Sequence, residues 1–166
     1  LTARREMVTL IQRSYRLGLF NATNGTYSVR LADGSILITP FNKDRAYVEV
    51  EDIVRVKDGM KERGKTPSRA IKLHAKIYEK NPHIKAILVA HPMHLMAFAI
   101  TGAKLDPRTI PESYILLRDV KRVPYEMLYT DYQAIADSFS PQSPTLLIDN
   151  DSIITTGRSE EHTSEL

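Results

Sequence analysis

From Ile84 to Ala90 the chain is apolar at every position but Lys85, and it then meets His91-Pro92. A strand with one face in water alternates apolar and polar residues; an unbroken apolar run instead marks a strand buried on both faces. His91-Pro92 opens a Met- and Ala-rich helix that runs to Ile100. A side chain at such a strand-to-helix junction stands where open sheets place their ligands.

The flanking segments supply the rest of one mixed α/β domain. Over Ala3 to Leu17, Met7, Val8, Leu10, Ile11 and Tyr15 recur at helical spacing, and Gly18 ends the pattern. Thr26 to Arg30 and Ile36 to Thr39 read as strands joined through Asp33-Gly34, a strong hairpin signal. Ile53 to Val56 is a further strand closed by Asp58-Gly59, and Lys61 to Thr66 reads as a charged connection. Pro67 and Ser68 open a second helix with Ile71, His74, Ile77 and Tyr78 on one face, stopped at Asn81-Pro82. Tyr114 to Leu117, Lys121 to Val123 and Thr145 to Ile148 read as strands, with a short helix over Asp131 to Phe139.

At 166 residues the chain has room for one core, and 42% hydrophobic with 26% charged residues excludes a disordered chain. It has no cysteine, so any metal is held by His, Asp or Glu and no thiol serves as nucleophile. No apolar run has the length of a membrane span, and the reading is a soluble, cytoplasmic protein without a membrane partner. The basic residues are dispersed rather than interleaved with aromatics, which argues against a nucleic-acid partner.

Three groups of residues could do chemistry. His91 and His94 stand together at the mouth of the apolar strand, where imidazoles can ligate a metal, though a pair without a third ligand equally suits packing or capping. His74 reads as a core or interface histidine. The hydroxyls of Thr26, Ser28, Thr39 and Ser68, with Arg69 beside the last, lie near turns and a helix start, where free N–H groups and a guanidinium suit an anion; ordinary capping explains Ser68 as well. Asp151, after the strand ending at Ile148, is either a turn residue or a metal ligand.

Read in order, Gly25 to Arg30, Ile38-Thr39-Pro40, Glu51 to Val54, Pro67-Ser68 with His74 and Ile77-Tyr78 downstream, Ala86 to Pro92 and Leu146 to Gly157 resemble the class II aldolase/adducin family, over Tyr15 to Gly157. The resemblance implies a three-layer α/β/α fold around a largely antiparallel mixed sheet, assembly as a homotetramer, and a sugar phosphate or similar small anion as ligand. It carries the family's phosphate site, partly altered, onto Thr26, Thr39, Ser68 and Arg69, and Ser28 joins them as the further hydroxyl of that group. The family's zinc ligands fall on Val89, His91 and Asp151, with His94 or Glu112 as substitutes that would complete an altered site, and its acid/base glutamate falls on Ala70. Valine cannot ligate and alanine has no proton to move.

Two readings follow, beside the blander one of an apolar-pocket protein of unrelated function whose fold says nothing about chemistry. One is a divergent member that binds a sugar phosphate without the zinc and glutamate chemistry, as adducin keeps the domain without the enzyme. The other is a metal-dependent sugar-phosphate aldolase or epimerase, with zinc or another divalent ion in a rebuilt site. The chain begins at Leu1 rather than Met, and 158–166 resemble the translation of a sequencing-library adapter. The expectation is therefore a family domain over 1–157, incomplete at both ends, followed by a tail without a structural role.

Overall fold

The computed structural model describes residues 1–104 and 119–158. Helix α1 (Thr2–Arg16) leads to β1 (Thr26–Arg30), β2 (Ile36–Ile38), β3 (Val54–Lys57) and β4 (Met60–Lys61). Then come α2 (Ile71–Lys80), β5 (Ala86–Ala90), α3 (Met93–Thr101), β6 (Lys121–Val123), α4 (Met127–Thr130), α5 (Tyr132–Asp137), β7 (Thr145–Ile148) and β8 (Ser152–Gly157). The strands form one sheet in the order β4-β3-β2-β1-β5-β8-β7-β6. Among the described residues only β6 and β7 pair in parallel.

The apolar run explains itself in this sheet. Along β5, Ile87 enters a core with Ile38, Val54, Ile77, Leu146 and Ile154, on the side covered by α2, α4 and α5. Its neighbour Leu88 enters the opposite core with Met7, Ile11, Tyr27, Leu37 and Leu147, beneath α1 and α3. Alternate residues thus face two different apolar layers, and the sheet lies between helices on both sides. Met7 and Ile11, one turn apart on α1, are fully buried. Gly18 stops that helix in the left-handed region at φ 74°, with its N–H on the Tyr15 carbonyl.

Several segments depart from the local pattern. Helix α2 begins at Ile71, not at Pro67-Ser68, because the backbone there runs alongside the end of β2. Ser68 N–H donates to Thr39 O at 2.9 Å, and Pro40 and Pro67 form a bridge. Ser68 still serves the helix start by accepting from Ala70 N–H at 3.3 Å. Lys61, placed in the charged connection, pairs with Val56 as part of β4. Helix α4 had no signal of its own, and the helix expected over Asp131 to Phe139 is the shorter α5, with Asp131 capping Ala134 N–H at 2.9 Å. The strand expected over Tyr114 to Leu117, Glu112, and residues 159–166 lie outside the described residues.

Antiparallel pairing decides where chemistry can gather. β1 and β8 both run opposite to β5, so the start of β1, the end of β5 and the start of β8 share one end of the sheet. Thr26 pairs with Val89, and Ala90 with Ile153.

Candidate functional site

At that end a cleft of about 250 Å³ opens between the loop before β1, the segment after β2 and the start of α2. Thr26 and Ser68 meet in it through their hydroxyls at 2.9 Å. Arg69 is exposed on the rim, its guanidinium 5.4 Å from the centre of the Phe41 ring, a cation–π arrangement that orients the side chain while leaving N–H groups free. Ala70 also lines the cleft.

Two residues build its walls: Gly25, which opens the motif read from the sequence, and Arg45, which the sequence did not single out. Gly25 has φ +94°, and a Cβ there would stand 2.1 Å from Cδ1 of Phe20, so glycine alone fits the turn into β1. Arg45, 2% exposed, donates from Nε and Nη2 to Gly25 O at 3.0 and 2.8 Å, and from Nη1 to Pro40 O and Lys43 O at 3.0 and 2.8 Å. Its main-chain N–H holds Ala22 O at 2.8 Å. A single side chain therefore ties together both strand ends that flank the cleft. Nothing local distinguishes Arg45 from the surface cations around it; only the fold turns it inward.

Of the hydroxyls expected to bind an anion, the structure brings Thr26 and Ser68 together with Arg69, but not Ser28 or Thr39. Ser28 lies two residues further along β1 on the same face, under α2 rather than in the cleft. Its hydroxyl meets His74 Nδ1 at 2.7 Å and the Tyr78 hydroxyl at 2.8 Å, and Tyr78 donates to Ser28 O at 2.9 Å. Thr39 Oγ1 is buried without a partner among the described residues, and it is the backbone of Thr39 that holds Ser68. His74 is the core histidine the helical face suggests. It is fully buried, its Nε2 has no partner among the described residues, and burial pushes its pKa down to about 3.

The expected metal ligands come together only in part. His91 is half-buried just beyond β5, its N–H on Leu19 O at 3.0 Å and its Nδ1 buried without a partner among the described residues. Burial holds its pKa below the ordinary histidine range, opposed by the carboxylate of Asp151 nearby. Asp151 belongs to the β7–β8 turn, where Asn150 takes φ 56° and donates its N–H to Ala99 O at 3.2 Å. His94 is exposed on α3, and Glu112 is outside the described residues. Among the described residues no three His, Asp or Glu side chains converge as a metal site requires. Among the described residues His91 and Asp151 are one short of the three protein ligands of a catalytic zinc.

A model of the class II aldolase and adducin N-terminal domain family matches residues 5–166. The chain belongs to this family. It is 29% identical over 146 residues to the 3-oxo-tetronate 4-phosphate decarboxylase of Haemophilus influenzae, covering 87% of this chain and 65% of that protein. It is 30% identical over 116 residues to the L-fuculose phosphate aldolase of Methanococcus vannielii, covering 70% of this chain and 61% of that one. The chain thus spans less than two thirds of the length of these relatives. The crystal structure of L-fuculose-1-phosphate aldolase from Thermus thermophilus superposes with a TM-score of 0.82 at 23% identity, covering 100% of this chain and 86% of that one. The fold is that of the class II aldolases, and named relatives act on sugar phosphates.

Proposed function

We propose that this chain is a divergent class II aldolase-family protein whose cleft receives the phosphoryl group of a sugar phosphate, or a similar anion, without the standard zinc and glutamate chemistry. The observation that carries the reading is the convergence of the Thr26 and Ser68 hydroxyls with the Phe41-stacked guanidinium of Arg69 on one small cleft. A charged donor there strengthens a phosphate contact about twofold over a neutral one. Ala70 lines the same cleft with no group able to move a proton, and Val89 beside Thr26 offers no ligand. The reading includes assembly as a homo-oligomer, which light scattering on the full-length protein tests.

A second reading is favoured by one observation, the Asp151 carboxylate acting on a half-buried His91 whose Nδ1 has no partner among the described residues. In that case a divalent ion draws further ligands from elsewhere and the protein is a lyase or epimerase on sugar phosphates. Titration with inorganic phosphate and sugar phosphates, together with elemental analysis for metal, separates the two. Under the first reading phosphate raises the melting temperature, and Arg69→Ala weakens its binding roughly tenfold, the loss of one charge-assisted contact. Near-stoichiometric metal that disappears in both His91→Ala and Asp151→Ala would establish the second.

A further inference from the structure

The hydrogen bonds of Arg45 leave its guanidinium without an ion pair among the described residues. Every acceptor it reaches is a neutral main-chain carbonyl, those of Gly25, Pro40 and Lys43, and no carboxylate forms an ion pair with it among the described residues. Asp44, its sequence neighbour, favours the charge from a distance, but its carboxylate accepts from Ala46 N–H at 2.9 Å and forms no ion pair with the guanidinium. A charge taken out of water is ordinarily paired, because the desolvation cost is otherwise uncompensated. Burial does lower the pKa of Arg45, to about 10, which leaves it a full cation at neutral pH. Arg45 nevertheless lines the cleft with Thr26, Ser68 and Arg69.

We propose that Arg45 is the fixed cationic floor of this cleft, and that its counter-charge is a phosphomonoester dianion seated against Thr26, Ser68 and Arg69. The inference rests on the anion-binding reading above and goes beyond it by assigning a residue and a charge state. A buried cation held by four side-chain hydrogen bonds cannot reorient, so its field is present before the ligand arrives. Arg69, exposed and stacked on Phe41, is the adjustable second charge. Two cations favour a doubly charged phosphoryl group over a singly charged carboxylate of similar size. Arg45 also shapes the cleft by gripping Gly25 O and Pro40 O, so the test must read charge separately from shape.

The experiment follows the Arg45 Nε–Hε resonance of the full chain by NMR while inorganic phosphate is added, with Arg45→Lys used to assign the signal. The expected result is a saturable shift of that resonance with the same dissociation constant that calorimetry gives, and acetate at least tenfold weaker than phosphate. Folded Arg45→Lys, which keeps the charge, should retain phosphate binding within about threefold, whereas Arg45→Gln should lose at least tenfold. Phosphate binding that moves Arg69 signals while leaving Arg45 Nε–Hε unchanged would overturn the assignment of Arg45 and leave the cleft reading intact. So would equal binding of phosphate by wild type and a folded Arg45→Gln. Should Arg45→Gln not fold, the wild-type resonance decides alone. No phosphate binding to the wild-type protein at all would overturn the cleft reading, and this one with it.

Discussion

The cleft at the start of β1 and the corner at His91 occupy the same end of the sheet, one strand apart, yet they are built in different ways. Around the cleft, backbone and side chains satisfy one another: Arg45 binds the carbonyls of both walls, Thr26 binds Ser68, and Ser68 binds the end of β2. At the corner, His91 and Asp151 come from a strand end and a turn, and His91 Nδ1 is left without a partner among the described residues. The difference teaches that anion recognition can be assembled from groups the fold already holds in place. Metal chemistry instead needs several particular side chains to converge on one point, and replacing any one of them leaves the fold undisturbed.

The strongest way to break the cleft while sparing the corner is Gly25→Ala. The substitution combines a left-handed φ with a contact of 2.1 Å to the Phe20 ring. Strain and overpacking together should cost about 3 kcal/mol of stability. Urea denaturation would measure it, and a loss under about 1 kcal/mol would mean the loop has room to rearrange and that the cleft is less rigid than drawn.

Next in size is the acid response of His74, which fastens β1 to α2 just behind the cleft. Its folded pKa, about 3, lies below the ordinary histidine value of 6.5, so the unfolded chain takes up this proton first. Its contribution is fully present above pH 6.5 and is lost as pH falls from there toward about 3. The slope is about 1.4 kcal/mol per pH unit while only the unfolded state is protonated. His74→Asn should be less stable at neutral pH, yet show a visibly shallower decline between pH 6.5 and 4.5 in chemical denaturation. Parallel curves for the two proteins would place the acid sensitivity elsewhere, with the carboxylates of Glu62 and Glu79 the next groups to test, since both have lowered pKa values.

Much of this architecture is legible in the sequence because it depends on short-range pattern. Thr26 to Arg30, Lys121 to Val123 and Thr145 to Ile148 are strands with the bounds their residues suggest, and the apolar run at Ile84 to Ala90 announces a doubly covered strand. What the sequence hides is decided by contacts between distant segments. Ser68 looks like a helix cap until its N–H is committed to Thr39 O, which pushes the first helical residue to Ile71. Ser28 and Thr26 look equivalent as hydroxyls, and only the placement of α2 over β1 gives one to the core and the other to the cleft. Arg45 stands in Lys43-Asp44-Arg45 as one charge among three, and no periodicity tells which of them folds inward.

The corner can be sharpened by supplying what it lacks. Val89 is half-buried, pairs with Thr26 on one side and Ile154 on the other, and packs against the α2-side core. It lies two residues before His91, the spacing at which side chains of an extended segment share a face. In Val89→His, therefore, a second imidazole joins His91 and Asp151, giving the three protein ligands of a catalytic-type zinc site. The substitution should raise zinc affinity at least tenfold, about 1.4 kcal/mol, at the cost of roughly 1 kcal/mol of lost packing. Competition with a fluorescent chelator reads the affinity, and adding Asp151→Ala should remove the gain. If Val89→His gains nothing while remaining folded, His91 and Asp151 do not face a common point, and the two regions differ in the direction of their side chains as well as in the number of donors. If it gains, the corner lacks only one ligand, and the difference between cleft and corner reduces to that one position on β5.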